Sequence, residues 1–286
     1  MLLVSYLRYW DQTLDLPNLR GASIFNPRTG FGGNGAGPDL CVADGPFANL
    51  RLRFTEDLDA PQSGSYCLSR NISECLFANT ATANVDACQN AGSFEEAWNC
   101  LEAKPHIAGH WGIGGTVSRL LPSTPIPPLP SQRYVLMLCD AMSQMSNPHT
   151  SPGDPLFFLH HTWLDLQWHT WQLQDLPTRL SQIGGPNIPS TDGPPRGGSA
   201  PSSDGPPPPS PDGACLPPLG GPGGAALSHG AGTVLSTAAG LMEFFNDEGG
   251  PDMTLGHRLW SAGILPNATV GDVMDLGGAL VCAEYV

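Results

Sequence analysis

Apolar and polar positions follow a helical spacing in two main stretches of this chain. Between Ser93 and Trp111, the residues Phe94, Trp98, Leu101, Pro105 and Ile107 stand among acidic and small residues, which predicts a helix ending before Gly112. Pro105 interrupts that helix. Its ring lacks an N–H and clashes with the preceding turn, so a second helix is expected to start at Pro105 and to carry the residues from His106 onward. The other stretch, DPLFFLHHTWLDLQWHTWQ at 154–172, is rich in apolar residues on every face. Asp154 can cap free N–H groups of a first turn and Pro155 at the first helical position sacrifices no hydrogen bond, so a helix is expected from Pro155 to about Gln174. Shorter helices are expected over Tyr134–Met145 and Leu235–Asn246.

Between these elements the pattern dissolves. Residues 1–66 are rich in Gly, Pro, Asp and Asn, with GFGGNGAGPD at 30–39 the most loop-like piece, and are expected to wrap around a core without forming one. LPSTPIPPLPSQ at 121–132 reads as a connector. The run 184–226 is dominated by Pro, Gly, Ser and Asp and cannot bury enough apolar surface to offset its ordering entropy. The expected organisation is a core over 1–183, a flexible insertion over 184–226, and a closing part of the same domain over 227–286. The fold class is mainly α with extensive coil.

Composition narrows the function classes. With 26 acidic against 12 basic residues the formal charge is −14, which argues against nucleic acid or an anionic membrane as partner and favours a small neutral substrate. No apolar run approaches the roughly 18 residues of a membrane span, and the opening MLLVSYLRYW lacks the basic start of a signal peptide, so the chain reads as soluble. Eight cysteines occur without a Cys-x-x-Cys pair, which disfavours a zinc ribbon and leaves disulfides open. The sequons beginning at Asn71 and Asn267 are possible N-glycosylation sites and agree with an oxidising secretory route.

Candidate chemistry sits on the two helices. His106 and His110 are four residues apart and share a helical face with their rings about 6 Å apart along the axis, close enough for both to reach one metal. Taken alone, that pair reads more simply as two surface or hydrogen-bonded histidines. His160 and His161, with Asp165 four residues further on, lie among Phe157, Phe158, Leu159, Trp163, Trp168 and Trp171, where a structural helix would place Leu. Buried imidazoles need partners, and a metal is one; an aromatic core helix with hydrogen-bonded histidines is the alternative.

The string formed by Asp154, Pro155, Phe157, Phe158, His161 and Asp165 resembles the second copper signature of the tyrosinase and catechol oxidase family, and His106, His110, Gly114 and Gly115 are similar to the family's other histidine pair and its Gly-Gly. Tyr9-Trp10-Asp11, the segment Ser23–Phe25, the glycines of 30–35 and the stretches from Thr254 onward resemble further parts of fungal members. The resemblance implies a partial tyrosinase-like helical bundle in which His106, His110 and His161 ligate the second copper, with no catalytic residue beyond the metal ligands. It makes His160 a neighbour of the ligands and Asp165 an orienting or packing carboxylate.

It also implies oxidation of phenols or catechols to quinones with dioxygen, a chemistry that needs two coppers about 3.5–4 Å apart. In the family the first copper's histidines precede the Tyr-Trp-Asp segment, which here begins near Met1, so at most one copper and no turnover are expected of this chain alone, with the face carrying His161 and Trp163 open to water. Ile107 stands where several hydroxylating members carry Asn, leaving monophenol and catechol chemistry both open. A non-catalytic single-metal or interaction protein derived from the same fold is the second reading. A glycoprotein whose histidines bind zinc or nothing is a third, and it leaves the Asp154–Asp165 signature unexplained.

Overall fold

The computed structural model describes residues 5–53, 64–115, 143–147, 150–185, 252–259, 261 and 263–286. The expected helix over Leu235–Asn246, most of the one over Tyr134–Met145, the Pro-rich connector and nearly all of the 184–226 insertion lie outside these residues. Helices are α1 (Gln12–Asp15), α2 (Glu74–Phe77), α3 (Thr82–Gln89), α4 (Phe94–Leu101), α5 (Ile107–Gly114), α6 (Leu156–Leu173) and α7 (Val270–Val273). Strands are two or three residues long: β1 (Ser5–Leu7), β2 (Gly35–Ala36), β3 (Cys41–Val42), β4 (Arg51–Leu52), β5 (Tyr66–Cys67), β6 (Arg258–Leu259), β7 (Ala268–Thr269) and β8 (Ala283–Tyr285). The chain is mainly helical with extensive coil. Among the described residues no helix is long and apolar enough to cross a membrane.

Two compact units divide the chain, one of residues 1–10, 81–106 and 161–286, the other of residues 11–80 and 107–160. In the first unit, α4 starts at Ser93, whose side chain accepts from the Glu96 N–H, and carries Glu95 and Glu96 in its first turn, where acidic groups favour the positive end of the helix dipole. A disulfide between Cys88 and Cys100 ties α3 to α4. Phe94 meets Trp168 and Trp171 of α6 edge-on, each with ring centroids 6.4 Å apart. Trp171 is fully buried; its Nε1 donates to the Ala91 carbonyl at 2.9 Å and the Arg179 guanidinium lies 4.1 Å over its ring. At the far end of the chain β8 pairs in parallel with β1, setting Tyr285 opposite Leu7.

In the second unit the segment 11–80 contributes core residues, contrary to its expected role as a wrapping. Trp10, at the end of the first unit's opening segment, and Leu19, Phe25, Val42 and Leu52 are all buried, and Val42 and Leu52 cluster with Leu68 beneath Phe47, Leu50 and Tyr66. The short hairpins explain how coil can do this: β2 pairs with β3 and β4 with β5, and the Cys41–Cys67 disulfide links the two hairpins. Helix α5 packs on α2 so closely that a Cβ at Gly112 would lie 2.4 Å from the Phe77 ring. It stops at Gly115, which adopts φ +64°, a left-handed value natural to glycine after a helix.

Two sequence expectations fail for local reasons. Pro105 does not start a new helix: α4 runs through a π turn at Glu102–His106 directly into α5, and the wider turn absorbs the missing N–H and the ring. Trp163 is 1% exposed instead of open to water, whereas His161 is half-buried. Residues two apart on a helix point about 200° apart, so the two never shared a face.

The start of α6 is held by a fully buried ion pair. Arg70 Nε donates to Asp154 Oδ2 at 2.7 Å and its second nitrogen to Oδ1 at 2.9 Å, while the remaining one reaches the Gly32 carbonyl at 2.7 Å. Asp154 Oδ1 also accepts from the Leu156 N–H at 3.0 Å, the capping role its position in the sequence suggests. Replacing Arg70 by Met leaves a buried carboxylate unpaired and is expected to cost about 3–5 kcal/mol in urea unfolding, with the double change Arg70→Met/Asp154→Leu recovering part of it.

Candidate metal centre and adjoining pocket

The unit boundary falls within two helices, so both the α4–α5 run and α6 place one histidine in each unit. Among the described residues, the group whose donor atoms could hold a metal ion is His106, His110, His160 and His161. In the first unit the rings of His106 and His161 meet edge-on with centroids 5.3 Å apart. In the second, His110 and His160 do the same at 4.9 Å. His106 and His110 stand about one turn apart along their helix, as their spacing requires.

Neighbouring groups fix which nitrogen each ring can offer. His110 Nδ1 lies 2.8 Å from the Met145 carbonyl, which can only accept, so the proton of a neutral ring sits on Nδ1. Glu102 Oε2 lies 2.8 Å from His106 Nδ1, a carboxylate-to-imidazole contact of the kind that orients a metal-binding ring. His160 is different. It is fully buried, and the Gln12 amide donates to its Nδ1 at 3.0 Å, which puts the ring proton on Nε2. A Cβ at Gly109 would lie 2.2 Å from His160 Cε1, so only glycine lets the ring lie against α5.

Beside the His106–His161 pair the first unit holds a cavity of about 350 Å³, walled by Phe94, Trp98, Leu164 and Trp168. Glu102 and Asp165 supply its carboxylates. Tyr285 donates its hydroxyl to Asp165 Oδ2 and packs its ring against Tyr9 and His169 at 6.1 and 5.9 Å. Burial first, and then the hydrogen bond and charge of Asp165, raise the Tyr285 pKa well above its usual range.

Each sequence-derived candidate has a definite place. His106 and His161 sit together, His110 and His160 sit together, and Asp165 faces the cavity one turn beyond His161. Asn267 is exposed, while Asn71 is half-buried with its N–H bonded to the Ile113 carbonyl. Gln12, Glu102 and Tyr285 escaped the reading of the sequence. Glu102 carried a signal, its position four residues before His106. Gln12 and Tyr285 lie 148 and 120 residues from the groups they hold, and nothing local marks them.

Histidine pairs on two helices, set in a mainly helical coil-rich fold, are candidate metal ligands, and the comparisons with known proteins agree with that reading. Residues 5–174 match the family described as the common central domain of tyrosinase: the chain belongs to the tyrosinase family, whose function is of the copper oxidase type. It is 30% identical over 194 residues to the tyrosinase-like protein phomQ1' of Diaporthe leptostromiformis, covering 63% of this chain and 45% of that one. With the tyrosinase-like protein orsC of Emericella nidulans it shares 53% identity over 161 residues, covering 50% of this chain and 36% of that protein. The polyphenol oxidase (mutant G292N) of Thermothelomyces thermophila has the same fold, with a TM-score of 0.56 at 19% identity over 97% of this chain and 65% of that one. This chain spans under half the length of those two curated relatives.

Two expected outcomes test the geometry. Gly109→Ala should lower stability by about 1–3 kcal/mol in thermal or urea unfolding, because the new methyl displaces the His160 ring. Tyr285 favours its protonated form more in the fold than in the unfolded chain, where its value is near 10, so its contribution is complete below that pH and is lost as pH rises above it. Urea midpoints measured from about pH 8 to about pH 11 should therefore fall more steeply for the wild type than for Tyr285→Phe.

Proposed function

We propose that this chain supplies a copper site to a copper-dependent oxidase of the tyrosinase or catechol oxidase type, which converts phenols or o-diphenols to o-quinones with dioxygen. The observation that supports the reading is the setting of the rings: His106 and His110 each place Nδ1 beside an oxygen, 2.8 Å from the Glu102 carboxylate and 2.8 Å from the Met145 carbonyl. His161, edge-on to His106, would complete the ligand set. His160, with its proton on Nε2, would orient the ligands from behind through His110 and Gln12. Imidazole nitrogens suit copper, and the close seat that Gly109 gives His160 limits rotation of the rings.

Copper, when bound, supplies the redox chemistry with dioxygen that no side chain can perform. The chain's own residues do the rest. Phe94, Trp98 and Trp168 would stack on an aromatic ring and exclude water from it, and Glu102 would hold the proton on His106 Nδ1. Ile107, next to His106, offers no hydrogen bond to a substrate hydroxyl, and the proposal covers phenols and o-diphenols alike.

Copper content after loading the metal-free chain tests the ligand assignment. The wild type should retain one ion, His106→Ala, His110→Ala and His161→Ala should lose it, and His160→Ala should bind about 10–100-fold more weakly. Loss of copper from none of the three would overturn the assignment. Oxygen uptake with catechol should appear in copper-loaded protein of the length of its curated relatives, and copper retention without uptake there would favour a single-metal binding protein instead.

A further inference from the structure

We propose that the cavity beside His106 and His161 selects phenols whose side chain ends in a cationic amine over those ending in a carboxylate; the inference rests on the phenol-oxidase reading above. A volume of about 350 Å³ suits one aromatic ring with a short tail, and the faces of Phe94, Trp98 and Trp168 give the ring a place to stack. None of the described residues lining the cavity is Lys or Arg, while two are carboxylates, Glu102 and Asp165. An anionic tail would find no counter-ion there and two like charges; a cationic tail would find the reverse.

Asp165 is the main determinant. It lies one helical turn past His161, about 6 Å along the axis, so a phenol whose oxygen sits near the histidines can turn a two-carbon tail toward it. Tyr285 holds one of its oxygens, and a carboxylate has lone pairs to accept further donors, so the clasp orients Asp165 without exhausting it. Glu102 is already in contact with His106 and adds the smaller share.

The test is calorimetric titration of the full metal-free chain with three para-alkyl phenols of different tail charge: tyramine, neutral para-propylphenol of the same tail length, and anionic para-hydroxyphenylpropanoate. At low salt tyramine should bind about three- to fivefold tighter than para-propylphenol and about tenfold or more tighter than the acid, since each partly exposed charge pair contributes a factor of that order. Raising the salt to about 0.5 M should draw the three affinities together. Asp165→Asn should bring tyramine to within about twofold of para-propylphenol. Should that variant fail to fold, the wild-type salt series decides. Equal affinities at low salt, tighter binding of the acid, or no binding of any probe would overturn the proposal. None of these results bears on copper retention by His106, His110 and His161, whose failure would sink the oxidase reading independently.

Discussion

The buried Arg70–Asp154 pair is the constraint on which the arrangement of α6 depends. A fully desolvated ion pair is sustained only where geometry is good and every remaining donor and acceptor has a partner. Here Arg70 is satisfied by both Asp154 oxygens and by the Gly32 carbonyl, and Asp154 by Arg70 and the Leu156 N–H. The Asp-Pro start of the helix is therefore more than a cap. It anchors the first turn to the glycine-rich stretch at 30–35, where a backbone carbonyl must approach a guanidinium closely. Because a helix advances about 100° per residue, fixing its first turn also fixes the directions of the side chains further along.

That phase lets two consecutive histidines do different work. His160 points into a closed environment made by Gln12, His110 and the bare backbone at Gly109. His161, rotated by one residue, meets His106 and faces the cavity. On the other helical run, the π turn at Glu102–His106 accommodates Pro105 without a break. The π turn also sets Glu102 against Nδ1 of the His106 ring.

The sequence made some of this legible and hid the rest for physical reasons. Helix α6 was expected from Pro155 to about Gln174 and runs from Leu156 to Leu173, because a capping Asp, a Pro and an apolar run are local signals. The four histidines were visible through spacing and signature. The core role of Val42, Leu52 and Leu68 was not, because it depends on two-residue hairpins and on a disulfide between Cys41 and Cys67 that no periodicity reveals. Gln12 and Tyr285 were invisible for the same reason: each acts on a residue more than a hundred positions away, and a lone Gln or Tyr near a chain end has no pattern.

The wall of the cavity is built to hold its shape before any ligand arrives. Phe94 sits at the first turn of α4, fixed by the Ser93 cap and by edge contacts with Trp168 and Trp171. Trp171 is in turn locked by the Ala91 carbonyl and by Arg179, and the Cys88–Cys100 disulfide prevents α3 from pulling away from α4. Across the cavity, Asp165 takes its orientation from Tyr285, which the pairing of β8 with β1 holds in place. A preformed site loses less freedom when it binds, so a flat aromatic ligand gains more from these walls than contact area alone provides.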